Sequence, residues 1–470
     1  MSSIPTPIPE IRSDDGRSPP GPAPQEDSPV QGRRLFFRRM VGRTARSTGL
    51  SLLDQTVVSG ASFAATILIG RFCGQKELGL YSLGFSLLLI VLAALQTLVM
   101  TAYTIHSPSV EGRARTKLAG AALAQGLILS AVVAAAMTLA AGAAGCAGNW
   151  DDYGVLLVAL AVVAPLFLLR EFCRRFAFAH MQMGIALGLD TVVAVLQVGG
   201  LAALIACRCL SAMSAYLVFG AACCAGGVAC LAATQPRPLF CWGQVAPVWR
   251  RNAALGGWFF MDQLFAVGNS YFSHWLLAGM LGVATTGAYA ACISLVLFSN
   301  PFLLGLGNVL MPRTARARAD GGIAEVRRVV RWATAAIVPI MGVFCGILTL
   351  YGSQLLRLLY GAKYDGYGQI VAVLAWSGFI SSLGIPLSYS CLAAERSDVP
   401  LVTKLVRFAV GIAASVFLIR VYRDNAVMGA ALGLLVGETV GLFSIFFYTR
   451  RVLAAVERGR QPDTPAEPRP

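Results

Sequence analysis

Twelve mainly apolar stretches, at about 49–70, 78–104, 117–142, 153–170, 182–206, 212–233, 254–278, 284–311, 331–356, 367–391, 398–420 and 426–449, alternate with short polar connections. Each approaches or exceeds the roughly 20 residues that a helix rising 1.5 Å per residue needs to cross a bilayer. None alternates with a period of two, as a membrane strand would. The pattern predicts an all-α integral membrane protein of about twelve transmembrane helices.

Composition agrees with the pattern: 56% of the 470 residues are hydrophobic and 13% are charged. Little chain is left for a soluble domain. A net charge of +15 would suggest nucleic acid in a soluble protein, but here its distribution marks topology, and no nucleic-acid partner is expected. Of the 38 Lys and Arg, only Arg71, Lys76, Arg208, Arg357, Lys363, Arg420 and Arg423 fall on one side of the predicted spans. The positive-inside rule then places both termini in the cytoplasm, as an even number of spans requires. The 12 cysteines lie mostly in apolar runs, without a CxxC pair, and indicate neither a zinc site nor a disulfide framework.

The expected organisation has five parts. Residues 1–46 form a proline-rich, then basic, disordered cytoplasmic segment. Residues 47–234 form an N-lobe of six spans, 235–253 a cytoplasmic linker, 254–450 a C-lobe of six spans, and 451–470 a cytoplasmic tail. Trp242 and Trp249, beside Arg250 and Arg251, suggest an interfacial helix in the linker. The connections on the bare side are short, which argues against an external sensor and against chemistry on a long external loop.

The two lobes share a repeat. Asp54-Gln55 recurs 208 residues later as Asp262-Gln263, and the same offset pairs Gly60 with Gly268, Ser62 with Ser270, Leu68 with Leu276, Gly74 with Gly282 and Gly79 with Gly287. Tyr81 with Tyr289, Ser86 with Ser294 and Leu87 with Leu295 complete ten identities over 34 positions. Composition alone would give roughly three or four. Because six is even, the halves have the same orientation, as in carriers built from parallel repeats around a central cavity that work by alternating access. Each chain then contains both lobes, so a monomer is expected.

The first span, its turn and the second span read Asp54-Gln55, Gly60-Ala61-Ser62-Phe63, Arg71-Phe72-Cys73-Gly74 and Glu77-Leu78-Gly79-Leu80-Tyr81. This resembles the polysaccharide and O-antigen flippases of the multidrug/oligosaccharidyl-lipid/polysaccharide export superfamily, with Gly287-Ala288-Tyr289 as the echo that opens the second lobe. The resemblance implies two six-span lobes around a cavity, a bacterial inner membrane and an undecaprenyl-type lipid-linked oligosaccharide as substrate. It also implies coupling to an ion gradient, with H⁺ or Na⁺ as the coupling ion and no other cofactor. Membrane lipids and polysaccharide-assembly proteins are the expected partners. The fourteen-span lipid II flippases have two spans that this chain lacks, which weighs against a peptidoglycan precursor.

Ionisable groups in a span cost about 2.5–3.5 kcal/mol on insertion scales, so those retained face a partner or an aqueous path. Asp54 and Asp262, roughly 6 to 12 Å into their helices, are candidates for ion coupling or for capping the cytoplasmic mouth. Asp190 and Glu438 have no partner evident in the sequence, and Glu438, nearest the middle of its span, is the stronger coupling candidate. Gln55, Gln263, Asn269 and Asn300 offer amides suited to a hydroxyl-rich sugar, or equally to helix–helix hydrogen bonds. Asn300 precedes Pro301, where the helix should kink. Arg174, Arg175 and Arg407, with Arg170 and Lys404, lie where they could steer a pyrophosphate into the cavity or simply fix orientation. His274 is read as an interfacial histidine.

No P-loop, HExxH, GxSxG or metal-ligand cluster occurs in the sequence, so neither catalytic nor metal-binding residues are expected. The leading expectation is a lipid-linked oligosaccharide flippase. Its alternatives are a multidrug cation antiporter, whose cavity should be rich in acids and aromatics, and a membrane-embedded polysaccharide polymerase or ligase, which would need a charged outward loop.

Overall fold

All twelve apolar segments are helical in the computed structural model, which describes residues 29–146, 152–234, 239, 242–396, 398–422 and 425–457, except that segment 284–311 is broken at residues 298–299. No strand occurs among the described residues. The first half comprises α1 (Gly49–Phe72), α2 (Gln75–Ala94, prolonged by a π-helical turn Leu95–Met100 and by Thr101–His106), α3 (Gly112–Cys146), α4 (Asp152–Ala179), α5 (Met183–Ala206) and α6 (Ala212–Ala233). The second comprises α7 (Trp242–Leu281), α8 (Val283–Leu297), α9 (Asn300–Tyr360), α10 (Gly368–Ala393), α11 (Asp398–Val421) and α12 (Ala426–Glu457). Ten of the described helices are long and apolar enough to cross a membrane, and α8 is a shorter apolar one.

Two expectations are refined. Residues 1–28 lie outside the described residues, but the stretch from Pro29 to Thr48, a separate unit, is helical, not irregular as expected. No proline follows Pro29 there, and Arg, Leu and Met favour helix. The two tryptophans do not mark a separate interfacial helix. The stretch from Trp242 runs without a break into the seventh span as α7, and Trp249 stays partly exposed. Residues 235–238, 240 and 241 of the expected linker, and the tail from 458, lie outside the described residues.

Helix breaks follow local chemistry. Gly74 and Gly282, equivalent in the repeat, have φ of 98° and 95° at the starts of α2 and α8. Only glycine adopts this conformation without strain. Instead of a kink at Asn300-Pro301, the span is broken just before it: α8 stops at Leu297 and Pro301 sits in the first turn of α9, where its missing N–H forfeits no helical bond. Within α9, Gly322 has φ 62° and ψ −152°, so this 61-residue stretch is two helices joined at a kink. In α2 the widened turn coincides with Thr101, whose hydroxyl donates to the Gln96 carbonyl five residues back (2.8 Å).

The halves meet most closely where α2 crosses α8. A Cβ on Gly79 would lie 2.1 Å from the Val283 carbonyl oxygen, and one on Gly287 would lie 1.8 Å from that of Gln75. With no hydrophobic drive between helices in lipid, such close backbone packing and interhelical hydrogen bonds carry the association. Nearby, Arg71 Nη1 donates to the Leu358 carbonyl (2.5 Å) and Gln75 Nε2 to that of Lys363 (2.8 Å). This end of the bundle, with the few basic residues, is called the far end below. At the opposite, basic end, α7 lies on the first half. Gly256 abuts the Thr97 carbonyl, and Gln125 binds both the Val245 carbonyl (3.1 Å) and Asn252 (3.2 Å).

Candidate functional site

In the first half, α4 carries Arg170, Glu171, Arg174 and Arg175 within one helical turn and a little more. The sequence places Arg170–Arg175 in a connection, yet α4 continues to Ala179 and keeps them inside the helix. Positions 170 and 174 share a helix face. Arg170 pairs with both Glu171 and Asp190. Arg174 reaches Asp54 with Nη2 and Asp190 with Nε, each at 2.6 Å. These charges persist inside a helix because α1 and α5 supply opposite charge at bonding distance, and the side chains of Asp54 and Asp190 are 1% and 0% exposed. Asp190 therefore has two partners that sequence reading did not supply. One oxygen each of Asp54 and Glu171 and the Nε of Arg175 remain without a hydrogen-bond partner.

In the second half the cation comes from α11. Arg407 Nη1 pairs with Glu438 Oε2 (3.0 Å) and also lies 3.4 Å from the Ser381 hydroxyl. Gly437 and Gly441 on α12 let the Arg407 stem and backbone approach closely, since a Cβ at either would come within about 3.0 Å of Arg407 atoms. Asn269, Phe272 and Phe408 line a small cavity with this pair. One turn away, Lys404 pairs with Asp262 (3.3 Å), both partly exposed.

The candidates thus fall into two clusters: Asp54, Arg174 and Asp190 in one half, and Asn269, Arg407 and Glu438 in the other. The remaining ones stand apart. Gln55 donates to Ser59 on its own helix (3.5 Å), while Gln263 and Asn300 are exposed. His274 is 3% exposed and packs edge-on against Tyr289, so it is a core residue and not an interfacial one. Glu171 was missed. Its signal in the sequence is the concentration of four charges in six residues of an otherwise apolar run.

The arrangement matches acid with base. Among the described residues, each acid of the two clusters has a guanidinium or ammonium partner on another helix or beside it in sequence. Such sites hold little net negative charge.

No protein-family model matches the sequence, and no curated protein matches it. Among solved structures, the chain is similar to an inward-facing conformation of a multidrug resistance MATE family transporter of the MOP superfamily. That likeness has a TM-score of 0.74 at 13% identity and covers 86% of this chain and 96% of the other. An outward-facing conformation of such a transporter gives a TM-score of 0.63 at 13% identity over 88% and 96%. A MOP superfamily transporter from Pyrococcus furiosus Vc1, described by a binding pocket of reverse polarity that suggests a different function, gives 0.62 at 13% over 88% and 96%. At this identity the likeness shows the fold. The fold is that of MATE transporters of the MOP superfamily, two six-helix lobes whose solved structures include inward- and outward-facing forms.

At the basic end, between α4 and α5, His180 accepts at Nδ1 from Arg115 Nη2 (2.8 Å) and contacts the Tyr103 hydroxyl through Nε2 (2.7 Å). Burial, and then the Arg115 charge, push the imidazole pKa below its usual 6.5. The unfolded chain therefore binds this proton more readily than the folded one. The contribution of His180 to stability is full above about pH 6.5 and is lost as pH falls through the folded value. Thermal unfolding of the His180→Asn variant should lack that part of the acid-side loss. An unchanged difference in midpoint between pH 7.5 and 5 would refute this.

Proposed function

We propose that the protein carries a lipid-linked oligosaccharide across a bacterial inner membrane by alternating access, with both termini cytoplasmic. The observation that carries this reading is the pairing of every clustered acid with a cation. A carrier of drug cations needs uncompensated negative charge in its path, whereas a pyrophosphate-linked glycan needs cations that can be drawn away from their acids. Arg407 is the central group. Phosphate oxygens would compete with Glu438 for its guanidinium, and the displaced carboxylate would then be free to take a proton or Na⁺. Substrate binding and ion binding are thereby linked through one side chain. Arg174 plays the corresponding part in the first half, while Asn269 meets sugar hydroxyls.

The aromatic pair Phe272 and Phe408 beside Glu438 favours the second reading, a multidrug cation antiporter. Reconstituted protein should move a fluorescent undecaprenyl-pyrophosphate-linked oligosaccharide and leave a cationic dye behind. Arg407→Gln should slow that movement at least about tenfold, the loss of one charge-assisted contact. Glu438→Gln should keep downhill movement but lose its response to an imposed gradient. Movement of the dye alone would replace the first reading by the second.

A further inference from the structure

A cavity of about 420 Å³ lies at the basic end, away from both charge clusters, between the end of the second span, the first turns of α3 and the α7 helix. Its volume is in the range of small-ligand sites. Tyr103, His106, Ser109 and Lys117 line one side, and Val248 and Asn252 of α7 the other. Among the described residues no carboxylate lines it, and Lys117 can only donate. His106 Nε2 is buried with no hydrogen-bond partner, and among the described residues no acid pairs with Lys117.

The back wall adds a further donor by necessity. A guanidinium only donates, so the bond from Arg115 makes His180 Nδ1 an acceptor and puts the imidazole proton on Nε2. That proton goes to the Tyr103 oxygen. The phenolic hydrogen of Tyr103 is then left to donate elsewhere, and Tyr103 lines the cavity. Arginine charge is thus passed through histidine and tyrosine as donor polarity, next to the ammonium of Lys117. An anion fits such a site, and the apolar part of the wall, including Val248, suits an esterified one.

We propose that this cavity binds a phosphate monoester and that, when filled, it fastens α7 to the first half at the basic end. α7 is continuous with the seventh span, so a ligand bridging Lys117 and Asn252 favours whichever conformation keeps the two sides together. The site lies off the proposed substrate path and regulates movement, not cargo. The phosphate can come from an anionic lipid headgroup at the membrane surface or from a soluble phosphate ester.

The test uses the full chain in neutral detergent, titrated with short-chain phosphatidate, short-chain phosphatidylcholine and inorganic phosphate. Binding is read by native mass spectrometry and by the thermal midpoint. Phosphatidate should bind and raise the midpoint, with phosphatidylcholine at least about tenfold weaker. Lys117→Gln should weaken binding about tenfold, and Asn252→Asp, which places a carboxylate opposite, at least as much. Tyr103→Phe removes only the hydroxyl and carries the test should Asn252→Asp misfold. Inorganic phosphate binding with the same sensitivity to these variants would assign the site to soluble esters. Phosphatidate binding no tighter than phosphatidylcholine, together with no variant-sensitive binding of inorganic phosphate, would overturn the proposal. So would loss of binding in Arg174→Gln or Arg407→Gln, because the phosphate would then sit in the substrate path.

Discussion

Arg170→Met is expected to lower stability by about 3–5 kcal/mol, the usual effect of removing one partner from a buried ion network. Its side chain is 6% exposed, and it leaves behind the carboxylates of Glu171 and Asp190, at 4% and 0%. Arg174 still holds one oxygen of Asp190, but nothing replaces Arg170 at Glu171. Adding Glu171→Gln should restore much of the loss, since a neutral amide does not need the missing charge. Denaturant or thermal unfolding of the purified protein measures both. A single variant within about 1 kcal/mol of the parent, the typical worth of an exposed pair, would show that the network is solvated.

The second large effect concerns movement. Gly79→Ala together with Gly287→Ala puts two methyl groups where carbonyl oxygens lie 2.1 and 1.8 Å away. Ordinary contact needs roughly 3.4 Å or more, so α2 and α8 must separate by more than an ångström. Overpacking of this kind costs about 1–3 kcal/mol, which biases the equilibrium about five- to 150-fold toward forms in which the far end is open. Spin labels on the two sides of that crossing should report longer distances, and turnover should fall by at least about tenfold. Gly257→Ala, where a Cβ meets nothing within 4 Å, is the control and should change neither. Unchanged distances in the double variant would mean that the crossing does not seal the far end.

The apolar cores of the helices were legible because a span satisfies its backbone internally and appears as an apolar run, whereas the end of α4 and the break between α8 and α9 were not. The repeat was legible too, and two of its three glycine pairs, Gly74 with Gly282 and Gly79 with Gly287, are those that the turns and the crossing require. The candidate site was only partly legible. Asp54, Arg174, Asp190, Arg407 and Glu438 stood out as charges within or beside apolar runs, but their pairing joins residues 120 positions apart in one case and 31 in another. Periodicity carries no information about such contacts. Arg170 and Glu171 were misplaced for a related reason. Insertion cost read residue by residue ends the span at the first arginine, whereas the folded bundle offsets that cost with a partner from the next helix. Gln263 and Asn300 are exposed amides, open to a ligand or to solvent.

The crossing of α2 and α8 has a further property. Gly79 meets Val283 while Gly287 meets Gln75, and each pair becomes the other when the repeat offset is applied. Such an isologous contact is the kind a two-fold homodimer makes. A six-span polypeptide holding either half would carry a self-complementary patch, so the two halves produced as separate chains should find one another through it, and each alone should pair with its own copy.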